Sequence, residues 1–155
     1  MVAVKINTHV SELVFDAVKQ MVLAHKFEYD EDMSETQTGK KKKKFKMRLA
    51  TVENTNRSNL QALRLLGTFE IQLFHNAEGA TQDAHFRALR DTEEIIFELE
   101  RFAPTGDRLE NVRRDYIQTT RLANWQTEPV DAGSDHVLRT TIQYEIGYKV
   151  SNPNI

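Results

Sequence analysis

The stretch HVLRTTIQYEIGYKV, residues 136–150, decides the fold because its residues alternate strictly between two kinds of side chain. One set is mostly apolar or aromatic: Leu138, Thr140, Ile142, Tyr144, Ile146, Tyr148 and Val150. The other set is mostly polar: Val137, Arg139, Thr141, Gln143, Glu145, Gly147 and Lys149. Successive side chains of a strand point to opposite faces, so the pattern predicts a strand with one buried and one solvated face. A strand reaching roughly 45–50 Å either curves around its own domain, with Gly147 as a bending point, or runs towards a neighbouring molecule.

The composition is that of one domain, residues 1–155, without cysteine chemistry. The apolar content of 39% and the charged content of 28% are ordinary for a globular protein. A net charge of −2 supplies no general attraction for nucleic acid or an anionic membrane, and the absence of cysteine excludes disulfides and cysteine zinc sites. The sequence has no apolar run of membrane-spanning length and no secretory signal pattern, so we expect a soluble intracellular protein.

Two segments have the periodicity of amphipathic helices. The first runs from about His9 to His25, with an apolar stripe of Val10, Leu13, Val14, Ala17, Val18, Met21 and Val22. The second runs from about Gln82 to Phe102, and its predicted apolar face contains Phe86, Ala88, Leu89, Ile95, Ile96, Leu99 and Phe102.

Alternation also predicts strands at about Phe45–Glu53, Thr68–His75 and Tyr116–Leu122. Leu60–Leu66 is expected to form a short helical turn, and Ala123–Asp135 is expected to be a connection. Strands with one covered face suit an antiparallel sheet that has helices on one side. The prediction is therefore an α+β fold of order α-β-β-β-α-β-β, with a mostly antiparallel sheet and both long helices packed on one face.

Opposite charges are concentrated on the two sides of one turn, within residues 27–53. Acidic residues precede a Thr-Gln-Thr-Gly segment and basic residues follow it: Glu28, Asp30, Glu31, Asp32 and Glu35, then Lys40, Lys41, Lys42, Lys43, Lys44, Lys46 and Arg48. We predict a β-hairpin whose acidic and basic arms face each other and whose tip, about Met33–Lys42, is mobile. Exposed pairs of this kind contribute only ~0–1 kcal/mol each, so the prediction is a solvated patch or an interface with a subunit or partner.

Direct contact of the five consecutive lysines with phosphates is the alternative interpretation of this segment. The neighbouring acidic cluster, the near-neutral total charge and the lack of interleaved aromatic residues argue against it.

No sequence motif indicates catalysis or a cofactor. Glycine-rich phosphate loops, Gly-x-Ser-x-Gly and His-Glu-x-x-His are missing from the sequence, and its histidines have no ligand spacing. Asp131, Asp135 and His136 could hold a metal, but a solvated turn before a strand explains them better. The acidic pairs Glu93–Glu94 and Glu98–Glu100 are explained in the same way by a solvated helix face. We therefore expect a protein that is not an enzyme and that uses no cofactor.

Three segments follow the N-terminal helix and the charged hairpin: TFEIQLFHNAEG, ALRDTEEIIFELERFAP and TTIQYEIGYKV. In the order of these elements the chain resembles the tail terminator family of long-tailed bacteriophages. The lysine-rich loop is a departure from that family. The resemblance implies a mixed α/β subunit that closes into a hexameric ring on the finished tail tube, within the virion and after assembly in the host cytoplasm. The implied partners are further copies of the chain, the tail tube protein and the head or neck connector, with DNA passing through the ring lumen and no membrane.

Two other functions stay open from the sequence. A neck or head-completion protein would have a similar size and a similar lack of catalytic residues. A nucleic-acid-binding module using Lys40–Lys44 is the more distant alternative.

Overall fold

The computed structural model describes residues 10–30, 43–55, 62–76, 82–100, 117–132 and 135–151. These residues form two helices and five strands in the order α-β-β-β-α-β-β. The elements are α1 (Val10–Leu23), β1 (Glu28–Tyr29), β2 (Lys44–Asn54), β3 (Ala62–Asn76), α2 (Gln82–Glu100), β4 (Ile117–Ala132) and β5 (Asp135–Ser151). The predicted α+β class is confirmed, and both predicted helices are present with slightly shorter bounds. Neither of these helices is long and apolar enough to cross a membrane.

The five strands form one mixed sheet with the spatial order β1-β2-β3-β5-β4. The pairs β2–β3, β3–β5 and β5–β4 are antiparallel, whereas β1 pairs with β2 in parallel. The predicted antiparallel arrangement is therefore only partly matched.

The parallel pair corrects the predicted hairpin. Glu28 lies opposite Lys44 and Tyr29 opposite Phe45 with the two chains running in the same direction, so the acidic and basic arms do not pair as a hairpin here. Opposite charges attract whether two strands run parallel or antiparallel, so the charge pattern does not show the relative direction of the two arms. The predicted mobile tip falls on residues 33–42, which lie outside the described residues.

The long final strand is an interior strand of the sheet, between β3 and the edge strand β4. Residues 137–151 of β5 pair with β3, and residues 135–148 pair with β4. The predicted strand is confirmed, and its full length pairs within its own sheet.

The strands on either side of β5 are longer than predicted. The helical turn expected at Leu60–Leu66 is wrong from Ala62 onwards, because this segment begins β3 and Leu65 pairs with Tyr148. The connection expected at Ala123–Asp135 is also wrong, because β4 continues to Ala132. β4 lies at the sheet edge, where a register shift between Leu122 and Asn124 interrupts the alternation and a proline, Pro129, is tolerated.

The core lies between one face of the sheet and both helices. One cluster of buried residues combines Val14 and Val18 of α1 and Ile95 and Leu99 of α2 with strand residues, namely Phe45, Phe69, Ile71, Leu73, Ile142, Tyr144, Ile146 and Tyr148. The even-numbered residues of β5 therefore form the buried face, as predicted. Trp125, Tyr144 and Tyr148 also pack in or against this core.

The predicted apolar face of α2 needs one correction. Its buried residues are Ala84, Ala88, Thr92, Ile95 and Leu99. Phe86 is not among them and is 56% exposed.

Candidate functional site: the open face of the sheet

The side of the sheet opposite the helices carries a mainly polar surface, which we call the open face; at one end of it, alternation also places the buried pair Phe74 and Val137. Alternation along four strands places on it Lys46, Arg48, Glu70, Gln72, Arg121, Asn124, Gln126, Glu128, Arg139, Thr141, Gln143 and Glu145. Asn124, Gln126 and Gln143 are exposed. Two open depressions cross the face, one lined by residues of β2 and β3 and the other by residues of β3, β4 and β5.

Three ion pairs order the charged side chains of the open face. Arg48 Nη2 lies 3.2 Å from Glu70 Oε2, and Arg121 Nη2 lies 2.9 Å from Glu145 Oε2. Arg139 pairs with Glu128 in the same way. In each case the two residues are direct register partners on neighbouring strands. Exposed pairs contribute little stability, but they hold the side chains in place and balance the charge of the face locally.

Uncharged amides and a hydroxyl occupy the middle of the open face. Gln72, Thr141 and Gln126 form one row across β3, β5 and β4, and Gln143 and Asn124 begin the next row. Such groups both donate and accept hydrogen bonds, so they can meet the polar surface of another protein. Among the described residues no cluster of histidine, aspartate or glutamate is suited to a metal ion.

The predicted charged patch is described in part, since Glu31, Asp32, Lys40, Lys41 and Lys42 lie outside the described residues. Lys44 Nζ lies 3.6 Å from Asp30 Oδ2, and Glu28 is the register partner of Lys44. The structure thus brings together acidic and basic residues of the two predicted arms. Lys46 extends over the Phe74 ring at 5.9 Å, close to the limit of a cation–π contact.

Lys43 contacts α2 and the segment that follows α1. Its Nζ donates to Asp91 Oδ2 on α2 at 3.1 Å and to the carbonyl of His25 at 3.1 Å. His75 Nε2, on a side chain that is almost completely buried, lies 3.0 Å from the same Asp91 oxygen. This network joins β3, α2 and the chain entering β2.

Asp91 is held as a carboxylate by the two groups that contact it. Burial alone would raise the pKa of Asp91, but the hydrogen bonds and positive charges of His75 and Lys43 outweigh it and bring the pKa below its ordinary value of 3.8. Within the described residues, His75 Nδ1 has no hydrogen-bond partner.

The sequence does not predict this network, because Lys43 stands within a run of five lysines. One signal was available for Asp91. It lies three residues after Ala88 and four before Ile95, so it borders the buried side of α2.

The remaining predicted candidates lie at one end of the β4–β5 pair and on α2. Asp131 lies in β4 and Asp135 and His136 lie in β5, with Asp131 and His136 as register partners, so these residues belong to strands and not to the predicted turn. Glu93, Glu94 and Glu100 are exposed, as expected for a solvated helix face. Glu98 is half-buried, and its Oε2 lies 3.3 Å from His25 Nε2, just after α1. Glu94 Oε2 lies 3.7 Å from Nδ1 of the same histidine.

Comparison with known proteins adds no family to this picture. No family model matches the sequence, and no curated protein matches it closely enough to count as a relative.

Proposed function

We propose that the chain is a structural virion protein, a tail terminator that caps the finished tail tube of a long-tailed bacteriophage as a ring. In this role it presents a joining surface to the head or neck connector. The observation that carries the proposal is the open face, a wide polar surface on one side of a well-packed sheet. Its order and width suit contact with another folded protein, whereas small-molecule sites are concave and mostly apolar. The sequence resemblance supplies the identity of the assembly.

The charge arrangement favours protein contact over binding of nucleic acid. In the described residues, Lys43 contacts Asp91, Lys44 contacts Asp30, and each of Arg48, Arg121 and Arg139 is paired with a glutamate. Phosphates would have to displace these carboxylates before they could release counterions from the surface. Direct recognition of DNA by Lys40–Lys44 is therefore the weaker alternative.

A neck or head-completion protein would use the same kind of face, so the two roles differ in the partner that is bound. A terminator binds the end of the tail tube and stops its growth. A head-completion protein binds the portal side and leaves tube length unchanged.

The test follows assembly of the full chain. We expect native mass spectrometry and negative-stain microscopy to show six-fold rings, alone or after addition of purified tail tubes, and growing tubes to stop at a defined length when the protein is added. Rings that bind connectors but leave tube growth unaffected would replace the terminator by the head-completion role. A chain that assembles with none of these partners would contradict both roles.

Two variants locate the surface involved. Gln126→Lys with Gln143→Lys adds charge to the middle of the open face, where both side chains are exposed, and should prevent binding to the tube or the connector. Gln20→Lys adds a charge to an exposed position of α1 and serves as the matched control. Equal loss in both proteins would remove the open face as the binding surface.

A further inference from the structure

The outward side of α2 carries two exposed phenylalanines on one line. Phe86 is 56% exposed and Phe97 is 67% exposed. Arg90 and Glu93 lie between them and are also exposed, so the spacings are four, three and four residues. This spacing keeps the four side chains on one stripe, which extends for about 16 Å along the helix axis. The buried residues Ala88, Ile95 and Leu99 lie on the opposite side.

The four-three-four spacing is that of the contact positions of a two-helix coiled coil. Neither phenylalanine belongs to the buried clusters of the described residues. A single exposed apolar residue is ordinary, but two large aromatic residues on one stripe form a surface suited to a partner helix.

The charges between the phenylalanines identify the partner. If two copies of α2 pack antiparallel around a two-fold axis at the centre of the stripe, each residue lies opposite the residue of the second copy that is equally far from that centre on its other side. Phe86 then meets Phe97 of the second copy, and Arg90 meets Glu93 of the second copy, each twice. In a parallel pair, Arg90 would meet Arg90 and Glu93 would meet Glu93, with like charges opposed. We propose that the outward stripe of α2 binds the same stripe of a second copy in antiparallel orientation.

The residues flanking the stripe fit the same orientation. Arg87 and Glu94, both exposed, lie on one flank, and antiparallel packing brings Arg87 close to Glu94 of the second copy. Leu89 and Ile96, both partly buried, lie on the other flank and approach their counterparts. The like charges Asp83 and Glu100 meet only at the two outer ends, where salt screens them. Opposite charges in the centre set the orientation, as expected for a self-complementary interface.

One pair of helices of this length buries a small area, below the ~1,200 Å² of a standard interface, so the dimer is weak and depends on concentration. Its contact is isologous, whereas the subunits of a ring meet through two different surfaces. The inference therefore goes beyond the proposed function and does not depend on ring formation.

The experiment is a charge exchange followed by sedimentation equilibrium of the full chain over a range of protein concentrations. We expect the unmodified chain to dimerise with rising concentration. Arg90→Glu alone and Glu93→Arg alone should each weaken the dimer by at least about tenfold, because each change leaves like charges in two layers. The chain with both changes keeps its net charge and should regain dimerisation.

Further variants separate this contact from a folding defect and from ring assembly. Phe86→Ser with Phe97→Ser should remove the dimer while the circular dichroism spectrum and melting temperature stay close to those of the unmodified chain. Gln20→Glu, an exposed charge change on α1, should leave the dimer intact. A monomeric unmodified chain at every concentration, or a double charge exchange that stays monomeric, would overturn the inference. Rings that form with every α2 variant would show that ring assembly does not use this contact. Dimers that depend on α2, without any rings, would support this inference and contradict the terminator proposal.

Discussion

Asp91 connects three parts of the fold through one carboxylate oxygen. Its Oδ2 accepts hydrogen bonds from Lys43 Nζ and lies 3.0 Å from His75 Nε2, while its side chain is 22% exposed. A charged hydrogen bond in such a setting is stronger than a surface ion pair because less water competes for the carboxylate.

Replacing Asp91 should change both stability and its dependence on pH. Asp91→Asn should reduce the free energy of unfolding by about 1–3 kcal/mol at pH 7, because Lys43 and His75 lose their charged acceptor. The pKa of Asp91 is lower in the folded chain than its ordinary value of 3.8, so its contribution is complete above that value. The contribution is lost as the pH falls from about 3.8 through the lower folded pKa.

Denaturant unfolding between pH 7 and pH 2 measures this effect. The difference in stability between the original chain and Asp91→Asn should shrink below pH 4. A difference that stays constant down to pH 2 would show that the carboxylate charge has no part in it.

Gly147 lies where β4 and β5 approach each other closely. A Cβ atom at this position would overlap Thr119 Oγ1, the side chain of its register partner on β4. This close approach gives a glycine in the middle of a long strand a packing reason. Gly147→Ala should therefore destabilise the chain by about 1 kcal/mol.

A double-mutant cycle tests this explanation. In the Thr119→Ala background the obstructing hydroxyl is gone, so Gly147→Ala should be nearly neutral there. Equal costs in both backgrounds, measured by denaturant unfolding, would rule out the contact with Thr119 as the cause.

At the scale of elements, the lysine run divides into two parts. Lys43 anchors the start of β2 to α2 and to the end of α1, and its side chain is 31% exposed. Lys43→Ser should lower stability by about 1–2 kcal/mol, since a part-buried charged hydrogen bond is lost. The change of Lys40–Lys42 to serine should leave the melting temperature nearly unchanged, as the sequence analysis expects for exposed charges. Thermal unfolding of the two variants compares them directly, and an equal loss in both would contradict the division.

The two faces of β5 should respond differently to truncation. Ile142 is fully buried, whereas its neighbour Gln143 is exposed on the open face. Ile142→Ala should cost ~2–5 kcal/mol, because it leaves a cavity between the sheet and the helices. Gln143→Ala should be nearly neutral in the isolated chain. A large effect of Gln143→Ala on denaturant unfolding would mean that the open face is covered in solution.

The elements that the sequence predicted are those with one covered face and a regular period. α1, α2 and the buried face of β5 follow from apolar residues at fixed spacing. The second half of β4 was missed because an edge strand with a register shift and a proline has little alternation to detect. The start of β3 was missed because Leu63, Leu65 and Leu66 are compatible with a helix until β5 is placed beside them.

The candidate site could be predicted only in outline. The sequence located the charged segment, and the structure pairs Asp30 with Lys44 within it. The open face could not be found from the sequence, because its rows combine residues of four strands whose spatial order differs from their chain order. The Lys43–Asp91–His75 network could not be found from the sequence either, because its three residues are far apart in the chain.

At the scale of the whole molecule, the described surface carries balanced charges that can orient a partner without binding it tightly. Opposite charges at an interface set register and encounter rate more than affinity, and salt screens them. Assembly through this surface should therefore slow with rising ionic strength while the melting temperature changes little. Light scattering and thermal unfolding over a salt series measure both quantities. A melting temperature that falls together with assembly would point to unfolding in place of screened contacts.

The position of β5 between β3 and β4 also has a consequence for how the chain is made. β5 follows both β3 and β4 in the chain, yet it lies between them. During synthesis, β3 and β4 therefore leave the ribosome without the strand that joins them: β3 can already pair with β2, whereas the neighbour of β4 in the sheet has not yet been translated. Pairings between distant segments form slowly because a long loop must close first. A chain interrupted before Asp135 can pair β1, β2 and β3 but lacks the strand that joins β4 to them, so the sheet is completed only when β5 has been translated.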